Sequence, residues 1–533
     1  MAFPTGVPHS STGVPRLARR RFLSTFFTEA GAVTLLAACG GSAAATVSTT
    51  GGSTSAGATS SSLAAVTTPS GTASATASQA ATSSAAVAAS TAGTATTSST
   101  TASAAVTSSA STTPTSAAAQ AAAGQRPLLL WGQDVYYKPG TLGDTLIKEF
   151  TQQNPDIKVT SEPQAYNVTK IPQMVAAGTV PDFAHMDRYL AAEWGNKGVI
   201  EPLDAMLGQS KVLIPSDWRD GLRSDVTWKG KIYAIPQGSD VWLYYWNTQN
   251  FREVNVDATK PPATWDELKH DAQVLYKADS GGAIQRYGFA PQFGNGGPQA
   301  AWLIFMWQQG QDELSADRSK AIFNTDLGLN ALQLVVDFVT MQGGWQRYLD
   351  FTKGFSKEQG QAALPEGKIS AHLDYQGEVT NIWKPAMPNF SPDLFGAGLI
   401  PKPPNGKDTT YQGGPAYVIP TGAKNATDAF HFLEFISTAA NQVRWADGTG
   451  AVPESKSVLA SDAYLSKDPV RKIYAQLALG GKWVPVVPGG ADILKLHGQL
   501  MTDALTGAKS PHDALTAAQT AIQQVLDKNM VGT

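Results

Sequence analysis

The sequence predicts an α/β fold with a mainly parallel central sheet for residues 126–533. Aromatic, charged and periodically spaced apolar residues begin abruptly at Arg126, after a long stretch that lacks them. Strand-like and helix-like patterns then alternate up to Asp187, which is typical of parallel sheets covered by helices. The chain is 42% hydrophobic, which is enough to form a substantial core.

The first elements follow from the spacing of apolar residues and from helix-ending signals. RPLLLWGQD (126–134) predicts a buried strand that runs into a loop, and IKVTSEP (157–163) and FAHMD (183–187) predict two more strands. GDTLIKEFTQQNPD (143–156) predicts a helix that ends at Asn154-Pro155, and VTKIPQMVAAGTVPD (168–182) predicts one that ends at Gly178. Further along, Thr264 with Glu267 three residues later is the capping-box arrangement at a helix start.

Two loops follow the predicted strands at the sheet edge where ligands bind. In parallel sheets that edge is formed by the carboxyl ends of the strands. The loops are WGQD (131–134) and HMDRY (185–189), which carry aromatic, acidic and basic side chains.

The N-terminal residues 1–38 predict an export signal. Arg16, Arg19, Arg20 and Arg21 precede an apolar run that is too short to span a membrane. The stretch ARRRFLS resembles the twin-arginine signature, although export by the general route stays open.

Cys39 is the only cysteine of the chain, which excludes an intrachain disulfide and any multi-cysteine metal site. Leu36-Ala37-Ala38-Cys39 closes the apolar run and resembles the bacterial lipobox, in which the cysteine thiol receives a lipid. We therefore expect a lipid anchor on Cys39 that holds the protein on the outer face of the cell membrane.

Residues 39–125 are predicted to be the lipidated cysteine and a disordered tether. Residues 41–124 contain no charged and no aromatic side chain and consist mainly of Ala, Ser, Thr, Gly and Val. Such a tract buries too little apolar surface to offset the entropy lost on ordering. Its many hydroxyls are candidate sites of O-glycosylation.

Several function classes are disfavoured. A formal net charge of −3 gives no reason to expect nucleic-acid binding, and no HExxH, GxSxG or P-loop spacing is present. The seven histidines show no pair at metal-ligand spacing, so we expect no metal and no cofactor.

Ten short motifs in chain order resemble the extracellular solute-binding proteins of ABC importers, within the maltose-binding-protein-like carbohydrate group. They are EFTQQNPDIKV, MVAAGTVPDF, GVIEPLD, GKIYAIPQ, LYYWNTQNF, PPATWDEL, YGFA, GGPAYVIP, FLEFISTAANQVRWA and GAVPE. The resemblance implies two α/β lobes, joined by crossover strands, that close on a carbohydrate and present it to permease subunits. It also implies a monomer that is not an enzyme.

The same resemblance implies the lobe boundaries. The first lobe would comprise about 126–238 and 410–455, and the second about 243–405 and 460–533. SDVWLYY would be one crossing between the lobes, and YQGGPAYVIP would begin another.

Residue by residue, the resemblance assigns ligand contacts to Asp187 and Arg188 in HMDRY and to Asp240 at the first crossing. It also points to Asp134, with Gln133 and Trp131 as alternatives, and to Tyr375 with Asp374 or Gln376 beside it. Trp242 could stack on the ligand or lie in the core. Gly413 and Gly414 could let backbone amides approach the ligand or simply form a turn, and Trp302 and Trp483 could lie at the rim. Trp307 and Trp445 are expected in the core.

The sequence departs from the group's pattern before the Asp-Arg pair. FAHM lacks the tryptophan found there in maltose-binding proteins, so stacking in the first lobe must come from Tyr166, Tyr189 or Trp131. This puts maltose itself in doubt and leaves other sugars or a polyol phosphate open.

Three other functions stay open. One is a binding protein for a polyamine or a metal complex, which an acidic cleft without convergent aromatic residues would favour. Another is a lipid-anchored carbohydrate hydrolase or lyase, because carboxylate pairs meet only in the fold. The third is a sensor or scaffold that has kept the fold without transport.

Overall fold

The computed structural model describes residues 124–162, 169–291, 293, 297–356, 360, 362–387 and 390–530. The predicted signal peptide, Cys39, most of the tether and Tyr166 lie outside these ranges, so the predictions about them stay predictions. Among the described residues, no helix combines the length and the apolar character that a membrane crossing requires.

The strands are, in chain order, β1 (Arg126–Trp131), β2 (Ile157–Ser161), β3 (Phe183–Asp187), β4 (Thr227–Trp228), β5 (Lys231–Ile232), β6 (Ile235–Pro236), β7 (Trp242–Asn247), β8 (Lys277–Ala278), β9 (Ile284–Ala290), β10 (Ile369–Tyr375), β11 (Phe395–Gly398) and β12 (Pro415–Val418).

The α-helices are α1 (Asp134–Tyr137), α2 (Leu142–Gln153), α3 (Lys170–Ala177), α4 (Ala191–Asn196), α5 (Asp204–Leu207), α6 (Asp220–Asp225), α7 (Thr248–Glu253), α8 (Trp265–Leu275), α9 (Gly297–Gln308), α10 (Asp326–Met341), α11 (Trp345–Lys353), α12 (Lys384–Ala386), α13 (Ala426–Ile436), α14 (Ala439–Thr449), α15 (Lys456–Leu459), α16 (Asp462–Leu465), α17 (Val470–Leu479), α18 (Gly490–Thr506) and α19 (Pro511–Met530). Arg188–Leu190 and Pro392–Leu394 form 3-10 turns, and Glu378–Trp383 forms a π-helix.

The elements predicted near the start of the folded region are confirmed. The strand and helix patterns up to Asp187 correspond to β1, α2, β2, α3 and β3. Helix α3 ends at Gly178, which adopts the left-handed conformation. Helix α8 begins after Thr264, whose side chain accepts a hydrogen bond from Glu267 N at 3.2 Å.

The strands form two five-stranded sheets, which define two lobes. The first-lobe sheet has the order β2-β1-β3-β12-β6, and the second-lobe sheet has the order β11-β7-β10-β9-β8. The chain passes from one sheet to the other between β6 and β7 and returns between β11 and β12. The two-lobed α/β fold is confirmed, whereas the residue boundaries of the lobes stay a prediction.

Both sheets are mixed, so the expectation of mainly parallel sheets is met only in part. In the first lobe β1 is parallel to β2 and β3, but β12 is antiparallel to β3 and β6. In the second lobe only the β9–β10 pair is parallel. The chain enters strands β7 and β12 from the opposite lobe. Their direction in the sheet therefore depends on where the chain crosses, and not on a helix that connects them to the preceding strand of the same sheet.

Helix α9 forms the centre of the second-lobe core. Its sequence, GPQAAWLIFMWQ, is apolar on nearly every face, and every residue from Ala300 to Gln308 is buried. A helix that is apolar all round is normally enclosed by protein on every side. Here helices α10 and α18 pack against α9.

Strand β9 packs against helix α8 at Gly288. A Cβ atom added at Gly288 would lie against Ala272 O of α8 and 2.8 Å from Gln342 Oε1. The buried Gln342 accepts hydrogen bonds from Gly288 N at 2.7 Å and Phe289 N at 3.1 Å. The absence of a side chain therefore allows both the helix and the amide to approach the strand.

We expect Gly288→Ala to lower the free energy of unfolding by about 1–3 kcal/mol, the usual cost of overpacking a core. Gly498→Ala is the control, since a Cβ there meets nothing within 4 Å on helix α18. It should raise the free energy of unfolding by about 0.5–1 kcal/mol. Urea unfolding measures both, and equal effects at the two positions would contradict the close approach.

Candidate functional site

Three backbone segments lie side by side where the chain passes between the lobes. We call residues 237–242, 410–415 and 450–455 the crossing layer. Backbone hydrogen bonds join these segments: Asp240 N to Gly413 O (3.1 Å), Trp242 N to Tyr411 O (3.3 Å), Ser239 N to Val452 O (3.0 Å) and Val452 N to Ser239 O (2.9 Å). The three segments therefore form one hydrogen-bonded layer at the junction of the lobes.

Arg188 follows β3 and supports the crossing layer from the first lobe. Its side chain is 0% exposed. Its Nη1 donates to Gly238 O at 3.1 Å, and its Nη2 donates to Gly413 O at 3.0 Å and to Gln412 O at 3.3 Å. Its Nε donates to Asp225 at 3.3 Å. These four bonds direct the guanidinium toward protein acceptors, whereas the family resemblance assigned Arg188 to a ligand contact.

Asp240 lies in the crossing layer and is partly exposed. Burial raises the pKa of its carboxyl group, while the positive charge of Arg188 and a hydrogen bond from Gln376 act in the opposite direction. Gln376 follows β10 of the second lobe and also bonds to the crossing layer, since it accepts from Val241 N at 2.6 Å and donates to Gly450 O at 2.9 Å. Asp240 is thus in contact with groups from both lobes.

The charge of Asp240 acts on three tyrosines. The pKa of Tyr136, Tyr375 and Tyr411 is raised in each case mainly by burial, and the charge of Asp240 contributes to all three. Asp187 contributes to the rise at Tyr136 and Tyr411. We take Asp187, Asp240 and these three tyrosines as the candidate site.

Aromatic side chains form the wall behind Tyr411. Its ring stacks on Trp307 at 6.3 Å between ring centroids and makes an edge contact with Trp242 at 5.5 Å. Trp483 Nε1 donates to its hydroxyl at 3.2 Å. Trp483 also packs edge-on against Tyr189 at 5.9 Å, and the guanidinium of Arg188 lies 4.9 Å from its ring centre. The partly exposed Trp483 therefore links the site to Arg188.

Gly413 and Gly414 allow Arg188 to approach the crossing layer. Gly414 has φ +132°, and a Cβ there would lie 2.8 Å from Arg188 Nη1 and 3.1 Å from Ser239 Cα. A Cβ at Gly413 would lie 3.3 Å from Asp240 Oδ2. A side chain at either position would therefore crowd the groups that form the site.

Trp302 is not at the rim, where the sequence placed it. It is 0% exposed on α9, makes edge contacts with Phe323 and His497, and donates to Gly328 O at 3.3 Å. The prediction was wrong because the preceding glycines suggested a loop edge, whereas an apolar helix buries this position. Trp307 is in the core as expected, yet it also supports Tyr411.

Four other residues were predicted to contact the ligand: Trp131, Asp134, Trp242 and Asp374. Trp131 is buried at the end of β1, with Lys170 Nζ 4.4 Å from its ring centre. Trp242 is buried in β7, and Asp374 is 2% exposed and accepts from Tyr375 N at 2.8 Å. Asp134 begins α1, and its side chain is outside what the structure describes.

Tyr136 and Tyr411 were not among the predicted site residues. Tyr136 lies two residues after the WGQD loop, and its ring lies 5.5 Å from that of Trp445 and 5.4 Å from that of His185. Tyr411 begins YQGGPAY, two residues before the paired glycines. Each adjoins a motif that the sequence did single out, so a search extended by two residues would have included both.

Two further charged residues are buried at the crossing layer, Arg219 beside it and Glu454 within it. Arg219 donates to Gln412 Oε1 at 2.9 Å, to Ser239 Oγ at 2.6 Å and to Val452 O at 3.2 Å. Glu454 accepts from Gly238 N at 3.0 Å, and its burial raises its pKa to about 7. Nowhere in the described ranges do three His, Cys, Asp or Glu side chains form a group that could hold a metal ion.

Glu454 should make stability depend on pH. Its pKa is about 7 in the folded protein against an ordinary value of 4.5, so the folded state retains a proton that the unfolded chain releases. Its contribution to stability therefore falls as pH rises through that interval. We expect the free energy of unfolding of Glu454→Gln, measured with urea and compared with that of the wild type, to be relatively higher at about pH 8 than at about pH 5.

The control for this experiment is Glu366→Gln, which removes an exposed carboxylate. Its effect on the free energy of unfolding should be similar at both pH values. An equal effect of Glu454→Gln at the two pH values would contradict a raised pKa at Glu454.

Comparison with known proteins identifies relatives along most of the chain. A binding protein of Brucella abortus is 24% identical to this chain over 397 residues, and the match covers 73% of this chain and 91% of the relative. An sn-glycerol-3-phosphate-binding periplasmic protein of Escherichia coli is 21% identical, covering 73% and 90%. A mannitol-binding protein of Pseudomonas aeruginosa is 23% identical, covering 70% and 87%.

Solved structures share the fold. A solute-binding protein of an ABC transporter from Thermotoga lettingae, bound to α-D-tagatose, has a TM-score of 0.62 at 21% identity and covers 75% of this chain and 100% of its own. A cyclic α-maltosyl-1,6-maltose binding protein from Arthrobacter globiformis has a TM-score of 0.62 at 24% identity, covering 76% and 100%. Residues 145–472 match the family of bacterial extracellular solute-binding proteins, and the chain therefore belongs to that family.

Proposed function

We propose that this chain is the substrate-binding component of an ABC importer and that it binds an uncharged sugar or polyol between its two lobes. The observation that carries the proposal lies at the crossing layer, where Trp242, two residues after Asp240, is hydrogen-bonded to Tyr411 and paired with Tyr375. The charge of Asp240 acts on Tyr136, Tyr375 and Tyr411, and that of Asp187 acts on Tyr136 and Tyr411. The contributors come from the first lobe, from the crossing layer and from the end of β10 in the second lobe.

The chemistry of these groups suits a polyhydroxyl ligand. Carboxylates accept strong hydrogen bonds from hydroxyls, and tyrosine hydroxyls can donate or accept. Aromatic rings provide apolar surface against which the C–H faces of a sugar can pack. The relatives that bind tagatose, a cyclic maltosyl-maltose and mannitol support this ligand class.

A phosphorylated polyol fits this site less well. The positive charge that acts on Asp240 belongs to Arg188, whose donors are directed to Asp225 and to backbone carbonyls. A phosphate placed here would approach Asp187 and Asp240, and like charges repel at short range. We therefore favour a neutral ligand over the glycerol 3-phosphate of one relative.

A polyamine is the second candidate, since two carboxylates would attract its ammonium groups. The convergence of Tyr136, Tyr375 and Tyr411 on the same carboxylate favours a sugar, because an acidic cleft without such aromatics is what a polyamine would be expected to use. The proposal includes no catalysis, in line with relatives that are binding proteins.

We further propose that binding closes the lobes over the ligand and that the closed form is presented to the permease subunits. A ligand that contacts both lobes only when they are closed shifts the population toward closure. The family is extracellular, and the lipobox-like Cys39 with the following tether would keep the protein at the outer face of the membrane.

A thermal-shift screen tests the ligand class. Tagatose, mannobiose, maltose and mannitol would be compared with glycerol 3-phosphate and spermidine. A ligand at 100 times its dissociation constant should add about 2.7 kcal/mol to the free energy of unfolding. We expect at least one neutral compound to act and the charged ones not to. Stabilisation by spermidine or glycerol 3-phosphate alone would overturn the proposed class.

Asp240→Ala should weaken binding of the compound found in that screen by about 10- to 100-fold in titration calorimetry, because a hydrogen bond to a charged group contributes about 1.5–3 kcal/mol. The unfolding temperature should change little. Burial disfavours the charged carboxylate in the folded protein and raises its pKa, so removing this group costs little stability. Asp266→Ala, on the exposed first turn of α8, is the matched control and should leave affinity unchanged. Unaltered affinity in Asp240→Ala would exclude Asp240 from the site.

A further inference from the structure

Tyr137 is enclosed in the first lobe, one residue after Tyr136 of the candidate site. It ends the short helix α1 and is 3% exposed. A Cβ atom added at Gly132 would lie 2.8 Å from Tyr137 Cγ, and one added at Gly143 would lie 2.6 Å from Tyr137 Cδ1. The end of β1 and the start of α2 therefore close on this ring, and both positions must lack a side chain to admit it.

The Tyr137 hydroxyl belongs to a buried chain of hydrogen bonds. It is bonded to the hydroxyl of Tyr417 on β12, and it accepts from Gln237 Nε2 at 3.4 Å. Gln237 Oε1 lies 2.6 Å from Nε2 of His185 on β3. All four side chains are at most 7% exposed. The chain thus joins α1 to two strands of the first-lobe sheet and to the first residue of the crossing layer.

The direction of these hydrogen bonds follows from the groups involved. An amide oxygen can only accept, so His185 Nε2 carries the proton in its bond to Gln237. Burial lowers the pKa of His185 to about 3, so the ring is neutral, and its Nδ1 has no hydrogen-bond partner in the described part of the chain. Gln237 then donates to Tyr137, which leaves the Tyr137 proton for Tyr417. Hydrogen bonds that follow one another in this way strengthen each other.

Tyr136 is tied to this chain on two sides. Its backbone N–H and that of Tyr137 both donate to Gln133 O, at 3.1 and 3.2 Å, so the two tyrosines share one turn. Its ring makes an edge contact with His185 at 5.4 Å and lies 5.5 Å from the ring of Trp445. A shift of Tyr137 would therefore carry Tyr136 away from His185 and from the two carboxylates whose charges act on it.

We propose that Tyr137 is a positioning residue for the candidate site, whose hydroxyl, through Tyr417 and Gln237, fixes α1 and holds Tyr136 in place to contact the ligand. The proposal rests on the proposed function, because the position of Tyr136 matters for capture only if Tyr136 contacts the sugar or polyol. A contact group that is held in place beforehand loses less freedom on binding. Loss of the Tyr137 hydroxyl therefore weakens capture without removing a ligand contact.

The test observes Tyr136 in the full chain without any ligand. Fluorotyrosine is incorporated at position 136 alone, and its fluorine NMR resonance is recorded. The nearby rings of His185 and Trp445 make this resonance sensitive to small displacements. Tyr137→Phe keeps the enclosed ring and removes only the hydroxyl. We expect the resonance to shift by more than its wild-type line width or to split into several lines.

Tyr348→Phe is the matched control. It removes a tyrosine hydroxyl that is similarly buried, at 6% exposed, but lies on α11 of the second lobe, where its ring packs against Tyr287 of β9. The resonance at position 136 should not change in this variant. Tyr417→Phe breaks the chain at its other end and should also shift the resonance. The unfolding temperature, measured in parallel, shows which variants are folded.

Calorimetric titration measures the consequence for binding. The titrant is the compound among tagatose, mannobiose, maltose and mannitol that stabilises the wild type. We expect Tyr137→Phe to bind it about 3- to 10-fold more weakly, the usual effect of one hydrogen bond, and Tyr348→Phe to bind it as the wild type does.

An unchanged resonance in Tyr137→Phe, or in Tyr417→Phe if only that variant folds, would overturn the proposal. The same change of resonance in Tyr348→Phe would also overturn it, as would an unaltered affinity in Tyr137→Phe. If none of the four compounds binds, the proposed ligand class fails. The resonance needs no ligand and would still decide whether Tyr137 positions Tyr136.

Discussion

The buried guanidinium of Arg188 is the interaction on which the arrangement of the lobes depends. A buried charge is costly unless nearby groups compensate for it, and here Asp225 and three backbone carbonyls do so. Two of the crossing-layer segments supply those carbonyls, so the arginine fixes their spacing. The same close packing around the guanidinium explains the glycines at 413 and 414. A side chain at Gly414 would displace the guanidinium, and one at Gly413 would displace Asp240. The candidate site lies directly against this support.

The site illustrates how a binding surface can be assembled from residues far apart in the chain. Tyr136 follows the first strand, Asp240 lies at the first crossing, Tyr375 ends β10 and Tyr411 lies at the return crossing. None of these positions would form a site within its own lobe alone. The side-chain amide of Gln376 likewise joins groups that are far apart in the chain. It is hydrogen-bonded to the backbone of Val241 and Gly450 and to the carboxylate of Asp240.

Local patterns in the sequence predicted the local structure well. The apolar spacing in residues 126–187 identified β1 to β3 with their helices, and the Thr264–Glu267 pair identified the start of α8. The strand directions in the sheets could not be predicted in this way, because periodicity carries no information on which lobe a strand enters from. Short motifs located Asp187 and Asp240 near the crossing. The orientation of Arg188 depends on backbone carbonyls that only the folded chain brings together. The burial of Trp302 depends on the enclosure of every face of α9 by protein.

The tyrosines give the candidate site a property suited to the outside of a cell. Burial keeps the pKa of Tyr136, Tyr375 and Tyr411 well above the ordinary value for tyrosine, so their hydroxyls stay protonated even in alkaline surroundings. The cleft can therefore keep offering the same hydrogen-bond donors in media whose acidity the cell does not control. A response of capture to the acidity of the environment would have to originate in the carboxyl groups, because burial raises the pKa of Asp240 in the candidate site and of Asp225 and Glu454 in the supporting frame.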